Sequence, residues 1–461
     1  MGPAEDLSAF GQPPGLWGWQ CCPPHLRSAL SVSLRAFLHA DAPAPLLGYV
    51  CSELNRRTPG LQWFPGRPAE GRNEDSFIFS YTGHAASANH FFQTCHLNSQ
   101  KNEALPSLKE NLRQALQGDP TCDIPGLIFH LLARSEEWIP GCRDALGRHL
   151  PEFSLLYQAK VHEEPVIESR LIPLLIRPIQ EKFPGWKMET PRASLIHTFD
   201  IDHAYAHHGK PLSRQIARLA LGMWKRDLPA LAVQLRSFIR READPFFSYP
   251  RIWELAGKKS RILCFWQTVS GEPLNNNIPL RGRAARRLIK EMAQHVEVGL
   301  HPSTHQLNDI QAIAHEKSRL EAVLERTVTS ARCHFLGQRF PDTYRAFVSF
   351  GIKEDFSMGW AHIPGFRAGT CQPFQFFDVE NGSPTALTLY PTPCMEGVLH
   401  DRMGLRDAAF LETFRHYATV VHQYGGVFVN HWHNHTIAPM GIWADGSKLF
   451  EQSLKMLEEI Y

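Results

Sequence analysis

The chain has 461 residues, 43% of them hydrophobic and 20% charged, which fits a packed globular protein too long for one ordinary domain. Its 48 basic and 46 acidic residues net only +2, so the overall positive charge of a nucleic-acid-binding protein is missing. No run approaches the roughly 18 apolar residues of a membrane-spanning helix, and the ten cysteines, with no C-x-x-C pair, fit reduced thiols rather than a disulfide framework.

In chain order, Met1–Cys22 carries an early Glu5–Asp6 pair and no basic stretch before an apolar core. No secretory signal is therefore expected, and the location read from the sequence is cytoplasmic. Residues up to about 110 mix Pro, Gly and polar residues with aromatic stretches such as "SFIFSYTG" (Ser76–Gly83), read as strands and loops. "PGLIFHLLARSEEW" (Pro125–Trp138) sets Leu127, Phe129, Leu131 and Leu132 broadly on one side of a helix. A proline-broken helix is expected over Pro165–Lys182. The connector Phe183–Pro191 reads as the domain boundary, giving an α+β accessory domain over 1–188 and a second domain over 189–461.

Beyond it, strands alternate with helices. "SLIHTFD" reads as a strand, Leu212–Ile239 as a long amphipathic helix with a break at Pro229, and "RILCFWQTV" (Arg261–Val269) as a second strand. A basic amphipathic helix follows over Arg281–Gln294, then the strand "VEVGL" (Val296–Leu300) and a helix over Leu307–Val323. Further units run through "RAFVSFG", "LTLYP" and "GGVFVN". This alternation predicts an α/β domain with a largely parallel sheet, open or closed into a barrel, whose chemistry gathers at the C-terminal strand ends.

Three polar clusters fall there. Asp200 and Asp202 in "TFDID" follow the apolar Leu195–Ile196, and burying carboxylates is costly unless they are paired or bind a metal. One could ligate an ion while the other takes a proton; a capped Asx-turn is the plainer reading. His301 and His305 in "HPSTH" would project from one face of a helix starting there and could share an ion. That spacing alone is weak, since His203 and His207 repeat it. "HWHNH" (His431–His435) offers one histidine as a general acid, because neighbours in an extended segment point apart; a surface cluster is the alternative. Arg367 in "PGFRAGTCQPF" could orient a carboxylate or form a structural ion pair, and Arg332 and His334 in "RCHF" share that ambiguity.

Taken together, "TFDID", "EVGLHPSTH", "DFSMGWAHIPGFRAGTCQPF" and "WHN" resemble polysaccharide deacetylase-like proteins. These belong to the family-four carbohydrate esterases, which share the nodulation-protein B homology domain. "LLARSEEWIP" (Leu131–Pro140) resembles a segment of the N-terminal domain of one subgroup. The resemblance spans roughly residues 120–461 and implies a distorted (β/α) barrel. It also implies removal of an N-acetyl or O-acetyl group from a sugar, with one divalent metal, usually zinc. Carried over by position, Asp200 resembles the general base and Asp202, His301 and His305 the metal ligands. Arg367 resembles the arginine that steadies the base and His433 the general acid. Ile201 separates acids that are adjacent in the wider family, so base and ligand could exchange roles. The expected partner is an acetylated sugar or polysaccharide precursor, with no nucleic acid and no membrane-spanning segment. The rivals are hydrolysis of another small-molecule amide at the same metal site, and a non-catalytic carbohydrate-binding protein on a degenerate barrel.

Overall fold

Two sheets, both built mainly from parallel strands, carry the molecule. The structure is a computed structural model that describes residues 34–39, 42–66, 76–80, 101–139, 141–255 and 260–461. Met1–Cys22 and the Tyr81–Gly83 end of the aromatic stretch lie outside the described residues. In the smaller sheet β1 (Leu34–His39) lies between β2 (Leu61–Pro65) and β3 (Ser76–Ser80), parallel to both. Parallel neighbours need a crossover. Helix Ala44–Arg57 supplies it between β1 and β2, burying Leu46, Leu47, Val50 and Leu54.

The larger sheet holds β4 (Ser194–Ile201), β5 (Arg261–Trp266), β6 (Glu297–Leu300), β7 (Ser330–Ala331), β8 (Glu354–Met358), β9 (Phe374–Asp378), β10 (Ser383–Pro391) and β11 (Val427–His433). Its order is β11-β4-β5-β6-β7-β8-β10-β9, and only the β9–β10 pair is antiparallel. Strands covered on both faces are apolar almost throughout, as in β5, where Ile262 through Trp266 are all buried. Beyond β10, Met395 makes an isolated parallel bridge with His431 of β11, so the chain leaving one side of the sheet meets the strand at its opposite edge.

The expected alternation is largely present, with helices Arg283–His295 and Gln311–Leu324 flanking β6. The helix expected over Leu212–Ile239 with a break at Pro229 is two helices, Leu212–Trp224 and Leu228–Ile239, parted slightly earlier than expected. The break falls at Arg226, whose φ is +55°, and at Asp227, whose side chain caps the Ala230 N–H. Pro229 sits in the first turn of the second helix, where its missing N–H costs nothing. Within "RAFVSFG", residues 345–349 are helical, as part of Asp342–Ser349.

Residues 183–191, read from sequence as the domain boundary, contain a turn and neither helix nor strand, and packing crosses them. Buried apolar residues of both halves form one continuous core. The Phe129 and Tyr49 rings lie 5.1 and 5.0 Å from that of Phe377, and the Tyr49 hydroxyl donates to the Gln375 carbonyl at 2.8 Å. The seven cysteines among the described residues are free thiols, and no described helix is long and apolar enough to cross a membrane.

Candidate metal centre

Side chains alternate along a strand, so Asp200 near the end of β4 and Asp202 just beyond it point to the same side. Both are buried. Arg332, leaving β7, donates Nη1–H to Asp200 Oδ1 at 2.9 Å, Nη2–H to Thr198 Oγ1 at 2.9 Å and Nε–H to the Phe356 carbonyl at 3.0 Å. Its guanidinium stacks over the Phe265 ring at 4.8 Å. Burial pushes the Asp200 carboxyl up, but Arg332, helped by His301 and His431, outweighs it and holds the group well below the usual carboxylate range. His431 Nε2 lies 2.9 Å from Asp200 Oδ2. Burial and Arg332 push this imidazole down to about 4, so at neutral pH it is uncharged and donates Nε2–H.

His301 follows β6 directly. Its Nδ1 lies 2.6 Å from the Arg332 carbonyl oxygen, which can only accept, so Nδ1 carries the proton and Nε2 of the neutral ring is a lone pair. That Nε2 sits 3.0 Å from Asp202 Oδ1. Both atoms are buried, and neither has a hydrogen-bond partner. Two acceptors so placed repel unless a proton or a cation lies between them. Without an ion, burial opposes the imidazolium, but the carboxylates of Asp200 and Asp202 outweigh it and raise the His301 pKa. His334 Nε2 stands 3.4 Å from Asp202 Oδ2, and the donor atoms of Asp202, His301 and His334 all fall within 4.8 Å of one another. Asp200, His431 and His433 form a second such set. One carboxylate and two imidazoles, with a ring N–H anchored on a backbone carbonyl, make a donor set suited to a zinc-class ion.

His433 ends β11. Glu396 Oε1 lies 2.6 Å from its Nδ1 and also accepts from its backbone N–H at 2.8 Å and from Thr436 Oγ1 at 2.9 Å. Burial opposes a charge on this ring, but the Glu396 carboxylate, with Asp202 and Asp200, pushes it up to about 10. Its Nε2 faces Asp202 Oδ2 at 3.7 Å and Asp200 Oδ2 at 3.9 Å. A cavity of about 240 Å³ opens onto Asp200, Asp202, His334, His431, His433 and His435.

Asp200, Asp202, His301 and His433 thus converge. His305 does not. It is exposed, with Nε2 2.7 Å from Glu272 Oε2. The expected pairing of His301 with His305 is corrected because no helix starts at His301; Ser303 instead caps the short 3₁₀ turn Thr304–Leu307, and the two rings diverge. His334 stands beside His301, with ring centroids 5.0 Å apart. Arg367 is likewise elsewhere, gripping Glu137 through Nε at 2.8 Å and Nη2 at 2.5 Å. It therefore takes the structural ion-pair alternative, and Arg332 is the arginine on Asp200.

All three histidines of "HWHNH" line the cavity: His431 and His433 alternate onto one face of β11 and His435 follows in the turn after it, while Trp432 and Asn434 are buried. Burial, with His433 beside it, pushes His435 down to about 3. Glu396 was not singled out from sequence, and "PCMEG" carries no periodic or motif signal for it. His334 and Arg332 had one, a polar pair following a strand, but β7 is only two residues long.

A family model described as "Family of unknown function (DUF7033)" matches residues 39–184, ending at the connector. No curated protein matches the chain. Among solved structures it is similar to a "putative polysaccharide deacetylase from Mycobacterium smegmatis", with 15% identity and a TM-score of 0.35, over 60% of this chain and 92% of that one.

Proposed function

We propose that the chain is a metal-dependent hydrolase that removes an acetyl group, N-acetyl in preference to O-acetyl, from a sugar or polysaccharide precursor. The observation that carries this reading is the buried pair of unpartnered acceptors, Asp202 Oδ1 and His301 Nε2, 3.0 Å apart beside His334. Asp202, His301 and His334 would hold a divalent ion, which would supply Lewis-acid polarisation of an acyl oxygen. Asp200 stays ionised and, fixed by Arg332 and His431, takes a proton from the attacking water. His433 is kept protonated by Glu396 and delivers its Nε2 proton to the departing amine. The Met395–His431 bridge supports reading the sheet as curled into a distorted barrel, with the pocket at its C-terminal strand ends.

The test measures metal content of the purified chain together with acetate release from a panel of acetylated sugars. The wild type should carry close to one zinc-class ion. Asp200→Asn should keep the ion and lose about 10²- to 10⁴-fold in rate. Loss of the ion in Asp200→Asn with retention in Asp202→Asn would exchange the two roles. A full ion with no acetate from any sugar points to another small-molecule amide. A chain with neither ion nor hydrolysis returns the fold to non-catalytic carbohydrate binding.

A further inference from the structure

The two helices that leave the loop after Asp202, Leu212–Trp224 and Leu228–Ile239, are packed inside out. Their buried residues are polar, namely Gln215, Gln234 and Ser237. These are bonded inward: Gln215 Nε2 to the Lys210 carbonyl at 2.6 Å, Gln234 Nε2 to the Gln215 carbonyl at 3.0 Å, and Ser237 Oγ to the Val233 carbonyl at 2.8 Å. The apolar residues face out. Trp224 is 80% exposed, Ile239 85%, Leu228 72%, Leu212 70% and Met223 62%. Leu212, Ile216 and Met223 recur on one face of the first helix, as do Leu228, Leu235 and Ile239 on the second.

This is a built surface and not a loose segment. The helices cross closely at Gly222, where an added Cβ would lie 2.9 Å from Leu231 Cδ2. Asp244, where the hairpin rejoins the fold, accepts the backbone N–H groups of Ala206, His207 and His208 at 2.8, 2.8 and 2.9 Å. Arg218 ties the first helix to the Ala206 carbonyl at 2.9 Å. Isolated exposed apolar residues are ordinary, whereas a contiguous set on an ordered element marks an interaction surface.

Charge selects the occupant. Residues 210–240 carry seven Lys or Arg and a single Asp, a net of +6, whereas the whole chain nets +2. Among the described residues, Lys225, Arg226, Arg236 and Arg240 have no carboxylate partner. A second copy docking face to face would bring like charges together. A nucleic acid would use the cations but leave the Leu, Ile and Trp stripe wet. We propose that this hairpin seats the protein on an anionic membrane surface, its apolar stripe at the headgroup–acyl boundary and its cations on lipid phosphates. Trp, Leu and Ile beside Lys and Arg are the composition of interfacial helices.

The experiment is flotation of the full chain with phosphatidylcholine vesicles, with and without phosphatidylglycerol. Binding is expected only with the anionic lipid and should weaken as salt rises. Lys225→Gln, Arg226→Gln and Arg236→Gln should each weaken it by about fivefold. The combined variant Trp224→Ser/Leu228→Ser/Ile239→Ser should lose binding while melting like the wild type, because all three side chains are already in water. The proposal is overturned if the wild type floats with neither vesicle, or if the serine variant floats as well as the wild type. It is equally overturned if the wild type sediments as a dimer that those serines dissociate.

Discussion

Arg332 on Asp200 and Arg367 on Glu137 are both fully buried guanidinium–carboxylate pairs, yet their surroundings differ. At Glu137 both carboxylate oxygens have donors. Both its oxygens take Arg367, Oε1 also takes Arg134 Nε at 2.9 Å, and Arg134 Nη2 reaches Glu136 Oε1 at 2.7 Å. Glu136 in turn accepts from Ser154 Oγ at 3.0 Å and the Leu155 N–H at 2.8 Å. At Asp200 the arginine pair is equally well made, but next to it Asp202 Oδ1 and His301 Nε2 face each other without a donor. Burial and charge are common to both centres. What separates them is the carboxylates: both Glu137 oxygens have donors, whereas beside Asp200 one oxygen of Asp202 faces only an imidazole nitrogen.

The largest effect is expected at the anchor. Arg367→Ala should cost about 3–5 kcal/mol, because Glu137 would remain buried and charged. Urea unfolding at constant slope measures it, and a change below about 1 kcal/mol would make the two centres alike after all. Replacing both partners, as Arg367→Met/Glu137→Met, should recover only part of the loss, because buried Arg134 then keeps Glu136 but loses Glu137.

The second prediction concerns the unpaired centre. Zinc at roughly a thousandfold excess over its Kd should stabilise the wild type by about 4 kcal/mol, and should do nothing for His301→Ala/His334→Ala. Equal stabilisation of the double variant by zinc would place the ion elsewhere.

A smaller effect belongs to Glu396. Its carboxylate raises the pKa of His433, so Glu396→Gln should lower that pKa and bring the alkaline limb of the activity profile down by about one pH unit or more. Acetate release against pH would reveal it. An unmoved limb would remove His433 as the acid.

The smallest effect is expected at His305, exposed and paired with Glu272. His305→Ala should leave metal content unchanged and stability within about 0.5 kcal/mol. Loss of the ion in this variant would restore the sequence spacing over the geometry.

The strands that deliver the acids, His301 and the late histidines were legible because long apolar runs ending in polar clusters mark buried parallel strands. His334 was not assigned, since its strand is too short to carry a period. His305 misled because the i, i+4 rule holds only on a helix, and Pro302 with Ser303 begins a 3₁₀ turn later than His301. Arg367 and Arg332 are indistinguishable in sequence, because which carboxylate each meets is fixed by partners 230 and 132 positions away. Nor could alternation be read correctly for "HWHNH" without knowing that the segment is strand through His433.

The shared core makes the accessory half something closer to a permanently tethered subunit than to an independent neighbour. Phe129 and Tyr49 on one side of the connector and Phe377 on the other lose their packing together, so heating should produce one cooperative transition with coincident probes. A fragment beginning at residue 189 would expose that apolar seam and strand the Arg367 guanidinium without its carboxylate. Such a fragment should aggregate when expressed alone and regain solubility when residues 34–188 are supplied as a separate chain.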